Sequence, residues 1–175
     1  MQGLSDGYFV LPYTIQNYLA HEISTPRIST DLPEFEQAEK DVKARVDRLM
    51  GIKGSKSPDY FHKKLGKIMW EYVGMARTKD GLAHALKEIA QVRADFYKDL
   101  RVVGTAHSFN PELEKALRVA DFIDMGEMMA YDAQHREESC GGHFREEYQT
   151  PEGEALRNDK DYMYVGAWEF KGEGE

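Results

Sequence analysis

The stretch Asn110–Glu138, NPELEKALRVADFIDMGEMMAYDAQHREE, decides the fold. Asn110 ahead of Pro111 supplies an N-cap and a proline at the first helical position. Leu113, Ala116, Leu117, Ala120, Ile123, Glu127 and Tyr131 then recur on one side at helical spacing. The pattern predicts the longest helix of the chain, running to about Glu138 before Gly141-Gly142 breaks it. A helix with one long apolar stripe needs neighbours to cover it.

The sequence before it supplies them. Thr78 caps a helix whose stripe is Leu82, Ala85, Leu86, Ile89, Val92 or Arg93, and Phe96, with Asp99 to Ser108 as the loop that follows. Ser57-Pro58 opens another, carrying Phe61, Leu65, Ile68, Met69, Tyr72 and Val73 and stopping near Gly74. A further helix starts at Leu32-Pro33, with Phe35, Ala38, Val42, Val46 and Leu49 in register, and ends at Gly51 and Gly54. Short polar connections make antiparallel neighbours the default. The expected fold is therefore mainly α: a small bundle of three to four antiparallel helices over 32–140, with an extended C-terminal tail or strand over 141–175. Within that tail Tyr162 to Phe170 is aromatic and β-branched and suits one strand or an extended segment, and a lone strand needs a partner edge. Lys171 to Glu175 is charged and expected to fray.

At the other end, Gly7-Tyr8-Phe9-Val10-Leu11-Pro12-Tyr13-Thr14-Ile15 is apolar on every side. Segments of that kind are normally buried all round, so 1–22 is expected to be the end of something larger, a domain cut from a longer chain.

Composition narrows the function. The 175 residues allow one domain or one and a small annex, and 41% hydrophobic residues allow a core. With 31 acidic against 23 basic residues the formal charge is -8, which repels phosphate and argues against nucleic acid as a partner. One cysteine makes no internal disulfide, and neither a signal-peptide pattern nor a membrane-length apolar run occurs, so a reduced, cytoplasmic-side location is expected.

Polar residues are densest from His135 to Tyr148. His135, Cys140 and His143 have side chains that suit zinc, but a structural zinc site takes four ligands in pairs and no second cysteine exists, so no metal is expected. Cys140 has histidines nearby in sequence, yet it would lie at a helix C-terminus, whose partial negative charge opposes a thiolate. Glu127 and Asp132 lack the repeated Glu-x-x-His of di-metal carboxylate bundles. Glu34, Glu36, Glu39 and Asp41 alternate with Lys40, Lys43, Arg45 and Arg48 as a solvated helix face does. His62, His84 and His107 have no partner pattern, and neither a dinucleotide nor a nucleotide glycine motif is present. Residue chemistry alone reads as an acidic helical domain.

Two stretches, Met1 to Ala20 and Arg136 to Tyr148, resemble the flavoprotein subunit of succinate dehydrogenase and fumarate reductase. Gly7 to Tyr13 is similar to the helix that follows the family's last flavin-contacting loop, and Trp70-Glu71-Tyr72-Val73-Gly74 with Arg77-Thr78 resembles its central helical pair. Glu138-Ser139-Cys140-Gly141-Gly142-His143-Phe144-Arg145 resembles the signature Glu-Ser-Arg-Gly-x-His-x-Arg, with Cys140 where many relatives have arginine and with Glu147 and Gln149 in place of a common Asp and Pro. The likeness runs from Met1 to about Phe170. It implies a parent that binds FAD, usually through a histidine, and exchanges hydride between succinate or fumarate and the flavin. It also implies partners: the FAD-binding domain of the same chain, an iron-sulfur subunit and a membrane cytochrome subunit with a quinone site, in a complex at the cytoplasmic side of the membrane. On this reading 1–22 is the terminal helix of a truncated flavin domain, the flavin- and substrate-handling residues lie upstream, and no catalytic, cofactor-binding or metal residue falls in these 175. Arg136, His143, Arg145 and Tyr148 are the candidates for an interdomain contact, with Arg136 or Arg145 taking over the missing arginine's role. The alternatives are the similar tails of L-aspartate oxidase or adenylylsulfate reductase flavoproteins, and a free-standing acidic interaction module.

Overall fold

The computed structural model describes residues 1–172 and divides the chain into two compact units, Met1–Asp41 and the residues from Val42 onward. The first unit is a helical run made of α1 (Gln2–Ser5), a π-helical turn over Asp6–Val10, α2 (Leu11–Leu19) and a 3-10 turn over Ala20–Glu22, followed by a connection and the start of α3 (Pro33–Gly51). Pro12 explains the widened turn. It has no N–H to give the preceding turn, and the Leu11 N–H reaches back five residues to the Asp6 carbonyl. Tyr8, Phe9, Val10, Leu11, Tyr13 and Ile15, which the sequence reading expects to be buried all round, are exposed in this chain.

The second unit is built on α4 (Pro58–Tyr72), α5 (Lys79–Asp99) and α6 (Pro111–His135), each of which packs against the other two. All three start where their caps predict. Ser57 Oγ accepts from the Tyr60 N–H at 3.3 Å and Thr78 Oγ1 from Gly81 at 3.0 Å, while Asn110 Oδ1 accepts from both Glu112 and Leu113. Phe61 meets Phe96 edge to face at 5.3 Å and Tyr72 meets His84 at 4.8 Å, so α4 and α5 are antiparallel. Lys115 pairs with Asp59, and His62 lies 5.7 Å from Phe122, so α6 runs the same way as α4.

The core is the shared interior of these helices: Phe61, Leu65 and Ile68 of α4, Leu82 to Phe96 of α5, and Leu113 to Ala133 of α6. Two stripes differ from expectation. On α3 only the C-terminal end joins the core, through Leu49 with Val46 and Met50 beside it, while Phe35 and Val42 stay exposed. On α6 the seam beyond Ile123 follows Gly126, Ala130 and Ala133 instead of Glu127 and Tyr131. Small residues win there because α4 passes close: a Cβ on Gly126 would sit 3.1 Å from Met69 Sδ.

At the end of the bundle that holds the starts of α4 and α6, backbone pairs with backbone. Gly54 N–H donates to the Leu100 carbonyl, Lys56 N–H to Asp99, and Arg101 N–H to Lys56. Gly54 comes so near that a Cβ there would lie 2.0 Å from the Asp99 carbonyl carbon.

After α6 the chain is a series of turns, a single helical turn α7 (Asp159–Tyr162), and a segment from Met163 without regular structure. Of the strand or extended segment expected over Tyr162–Phe170, the strand does not form. Tyr162 belongs to α7, and the rest has no ladder partner among the described residues. It lies instead along α6, where Trp168 Nε1 donates to Asp132 at 2.8 Å and the indole meets Tyr131 and His135 edge to face. The fraying expected from Lys171 falls mainly on residues 173–175, outside the described residues.

Phe96→Ala should lower unfolding free energy by about 3–5 kcal/mol in urea denaturation. Gly54→Ala should also destabilise strongly, because backbone must move to admit the methyl. Trp70→Ala, at an 86% exposed residue, should fall within about 0.5 kcal/mol of the parent.

Candidate functional site

α6 ends at His135, short of the Glu138 that periodicity predicts, and the reason is a side chain from further along. In a longer helix the N–H groups of Glu137 and Glu138 would donate to the carbonyls of Ala133 and Gln134. Arg145 Nη1 occupies both, at 3.1 and 3.3 Å, and Arg136 turns out of the helix at φ -82°, ψ 98°.

Arg145 is only 1% exposed. Its Nε donates to Glu147 Oε2 at 3.0 Å, and the other oxygen of that carboxylate accepts from the backbone N–H of Lys79, the first residue of α5. A guanidinium thus sits on the negative end of α6 and a carboxylate on the positive end of α5, joined to each other. Burial works against ionisation of Glu147, but the Lys79 N–H, its own N–H and Arg145 outweigh that and hold its carboxyl below the ordinary range. Ser139, fully buried, locks the backbone of Arg145: its Oγ accepts from the Arg145 N–H at 2.8 Å and donates to the Arg145 carbonyl at 3.1 Å.

A second arginine holds α4. Arg77 Nε donates to the carbonyls of Val73 and Gly74, and its backbone pairs with the Phe144–Glu146 segment through Arg77 N–H to Phe144 and Glu146 N–H to Arg77. Arg77 Nη1 lies 2.9 Å from His143 Nδ1, and His143 Nε2 lies 2.9 Å from the Arg136 carbonyl. A guanidinium only donates and a carbonyl only accepts, so the imidazole is neutral with its proton on Nε2. Burial holds the pKa of His143 below the ordinary value, the Arg136 carbonyl opposes this, and Arg77, Arg145 and Arg136 add to it.

Arg136, freed from the helix, bonds Glu138 at 2.8 Å and the carbonyls of Tyr162 and Tyr164, with its guanidinium over both tyrosine rings. Glu138, 3% exposed, accepts from the Asn158 N–H, which with Arg136 keeps its carboxyl below the ordinary range. Tyr148 lies under Arg145 at 5.4 Å.

The structure therefore gathers Arg136, His143, Arg145 and Tyr148 at one end of the bundle. Cys140 is not beside a helix end: it flanks a tight turn over Gly141-Gly142, closed by paired backbone bonds with His143, with Gly141 at φ +59°. His135 faces Tyr164 and Trp168, and among the described residues no three His, Cys, Asp or Glu side chains converge as metal ligands would. Sequence reasoning missed Glu138, Ser139 and Glu147 as partners. The available signal was the alternation of Arg136, Glu138, Arg145 and Glu147 around a turn.

Residues 62–175 match the family described as fumarate reductase flavoprotein C-term. The chain is 30% identical over 131 residues to the succinate dehydrogenase flavoprotein subunit of Rickettsia bellii, covering 75% of this chain and 21% of that one. It is 28% identical to the fumarate reductase flavoprotein subunit of Haemophilus influenzae, covering 71% and 20%. The E. coli quinol fumarate reductase FrdA has the same fold, with a TM-score of 0.66 at 23% identity over 79% of this chain and 23% of that one. The chain thus spans about a fifth of the length of the curated relatives it matches.

Arg145→Ala should cost about 1–3 kcal/mol, because it leaves the two carbonyls at the end of α6 without their donor, while Glu147, 39% exposed, is left to water. Arg145→Lys should recover only part of this, since one ammonium cannot reproduce the planar fork. Chemical denaturation of both variants checks the order.

Proposed function

The chain belongs to the fumarate reductase flavoprotein C-terminal family, and we propose that it is the supporting helical domain of a quinone-linked flavoprotein that exchanges hydride between succinate and fumarate. The observation that carries a supporting role is the way the arginines at the bundle end are used. Arg145, Arg77 and Arg136 direct their donors to helix-end carbonyls, tail carbonyls, Glu147, Glu138 and His143. These groups hold backbone in place and are not arranged to receive a dicarboxylate.

FAD fits these residues no better. A flavin dinucleotide needs donors turned toward its pyrophosphate, and the guanidiniums here are committed to carbonyls, carboxylates and an imidazole of this chain. On this reading FAD is held by the flavin-binding domain of the same chain, and these residues contribute no step of the chemistry. Partners are that domain, an iron-sulfur subunit and a membrane cytochrome subunit. No described helix is long and apolar enough to cross a membrane; the proposed place, as part of the parent complex, is peripheral at the cytoplasmic side. The names of the relatives above favour this reading over an L-aspartate oxidase type tail or a free-standing interaction module.

Of the four interdomain candidates, Arg136, His143 and Tyr148 are partly exposed and able to touch a neighbour, whereas Arg145 would act by shaping the segment that carries them.

By itself the 175-residue protein should be colourless and give no heat on titration with FAD or succinate. A flavin spectrum or dicarboxylate binding would overturn the supporting role. In the full-length flavoprotein, Arg145→Ala should lower both melting temperature and flavin content. If both stayed unchanged, the interdomain assignment would be wrong.

A further inference from the structure

We propose that His143 is an acid-sensitive latch, which clips the Arg136–Tyr148 segment to the α4 and α6 ends of the bundle while neutral and releases it when protonated. The two bonds of its ring join parts of the chain far apart in sequence. Nδ1 receives Arg77, which caps the end of α4, and Nε2 donates to the carbonyl of Arg136, the residue that closes α6. The imidazole has one arrangement that satisfies both, and a second proton destroys it. Protonated Nδ1 would aim an N–H at a guanidinium nitrogen 2.9 Å away, replacing a hydrogen bond with two facing cations.

The surroundings give that charge no relief. Arg77 faces the ring from the α4–α5 connection, Arg136 from the end of α6, and Arg145 from the ring's own segment. Each nearby carboxylate is already engaged: Asp132 by Trp168, Glu138 by Arg136 and the Asn158 N–H, Glu147 by Arg145 and the Lys79 N–H. The half-buried position adds a desolvation cost to the charged ring. Protonation therefore pushes Arg77 and His143 apart, and the adjacent backbone pairing of Arg77 with Phe144 and Glu146 is what holds against it.

The sign of the pH effect follows. The folded chain binds the His143 proton less readily than the opened chain, whose histidine titrates near the ordinary 6.5. The latch is fully closed above that value, and its contribution is lost as pH falls through the lower folded value. Between the two values the open fraction rises by up to about tenfold per pH unit, since opening takes up one proton.

The test uses the 175-residue chain and the variant His143→Gln. A glutamine carboxamide can accept from Arg77 through oxygen and donate to the Arg136 carbonyl through nitrogen, but it does not titrate in this range. Hydrogen exchange is measured at the Arg77 and Glu146 amides from about pH 7.5 to about pH 5 and corrected for the intrinsic pH dependence of exchange. The wild-type chain should lose protection at these amides as the pH falls, with the His143 ring resonance, assigned by its disappearance in the variant, titrating below the ordinary value. H143Q should keep its protection flat across the same range. Equal loss in both proteins would move the effect to the carboxylates and overturn the latch. So would a His143 that titrates at or above the ordinary value.

Discussion

At one end of this bundle the last carbonyls of α6 and the first N–H groups of α5 lie side by side, and neither set has a partner within its own helix. Water serves such groups on a surface. Here the returning chain covers the α6 carbonyls, so a side chain must serve them, and the Arg145–Glu147 pair supplies the right charge to each end. The rest of the bundle end depends on this clasp. Ser139 exists in its buried place to fix Arg145, the turn at Gly141-Gly142 exists to bring Arg145 back beneath α6, and the helix stops at His135 because its acceptors are taken. An ion pair whose carboxylate is exposed is weak ground for stability by itself. Its value here is directional, since two helix ends of opposite polarity must stay adjacent for the pair to be satisfied.

Much of the bundle was legible in the residues because local rules govern it. Ser57-Pro58, Thr78 and Asn110-Pro111 are caps whose chemistry acts within one turn, and all three helices start where those residues stand. The α4 and α5 stripes were readable for the same reason. The α6 stripe was not, because its last turns are chosen by the closeness of α4 and not by apolarity: Gly126 and Ala130 look like poor core residues until another helix presses on them. The end of α6 was unreadable for a different reason. A side chain ten residues beyond the helix decides it, and periodicity within the helix carries no trace of that.

The bundle end illustrates the same limit for function. Density of charge marked Arg136, His143, Arg145 and Tyr148 as a group, and the structure does gather them. Which carboxylate answers which arginine depends on the path of the turn, so the pairing of Glu138 with Arg136 and of Glu147 with Arg145 is not fixed by the sequence order. The composition of Tyr162–Phe170 left strand and extended segment open, because aromatic residues serve equally well to lay an irregular segment on a helix. Trp168 does so with one hydrogen bond to Asp132 and two edge-to-face contacts.

The seam at Gly54 bears on how the chain assembles. α4 and α5 are joined at one end by a short connection and at the other by main-chain bonds between residues 43 to 46 apart, so they form a hairpin sealed at both ends. The ties between Arg77 and His143 and between Lys79 and Glu147 span 66 and 68 positions and need α6 to be in place first. Loop-closure entropy then favours a definite order: the local hairpin, next α6 laid along it, and last the clasp. The element that closes last in assembly is also the one that a domain arriving late, or a ribosome still delivering chain, would meet unfinished.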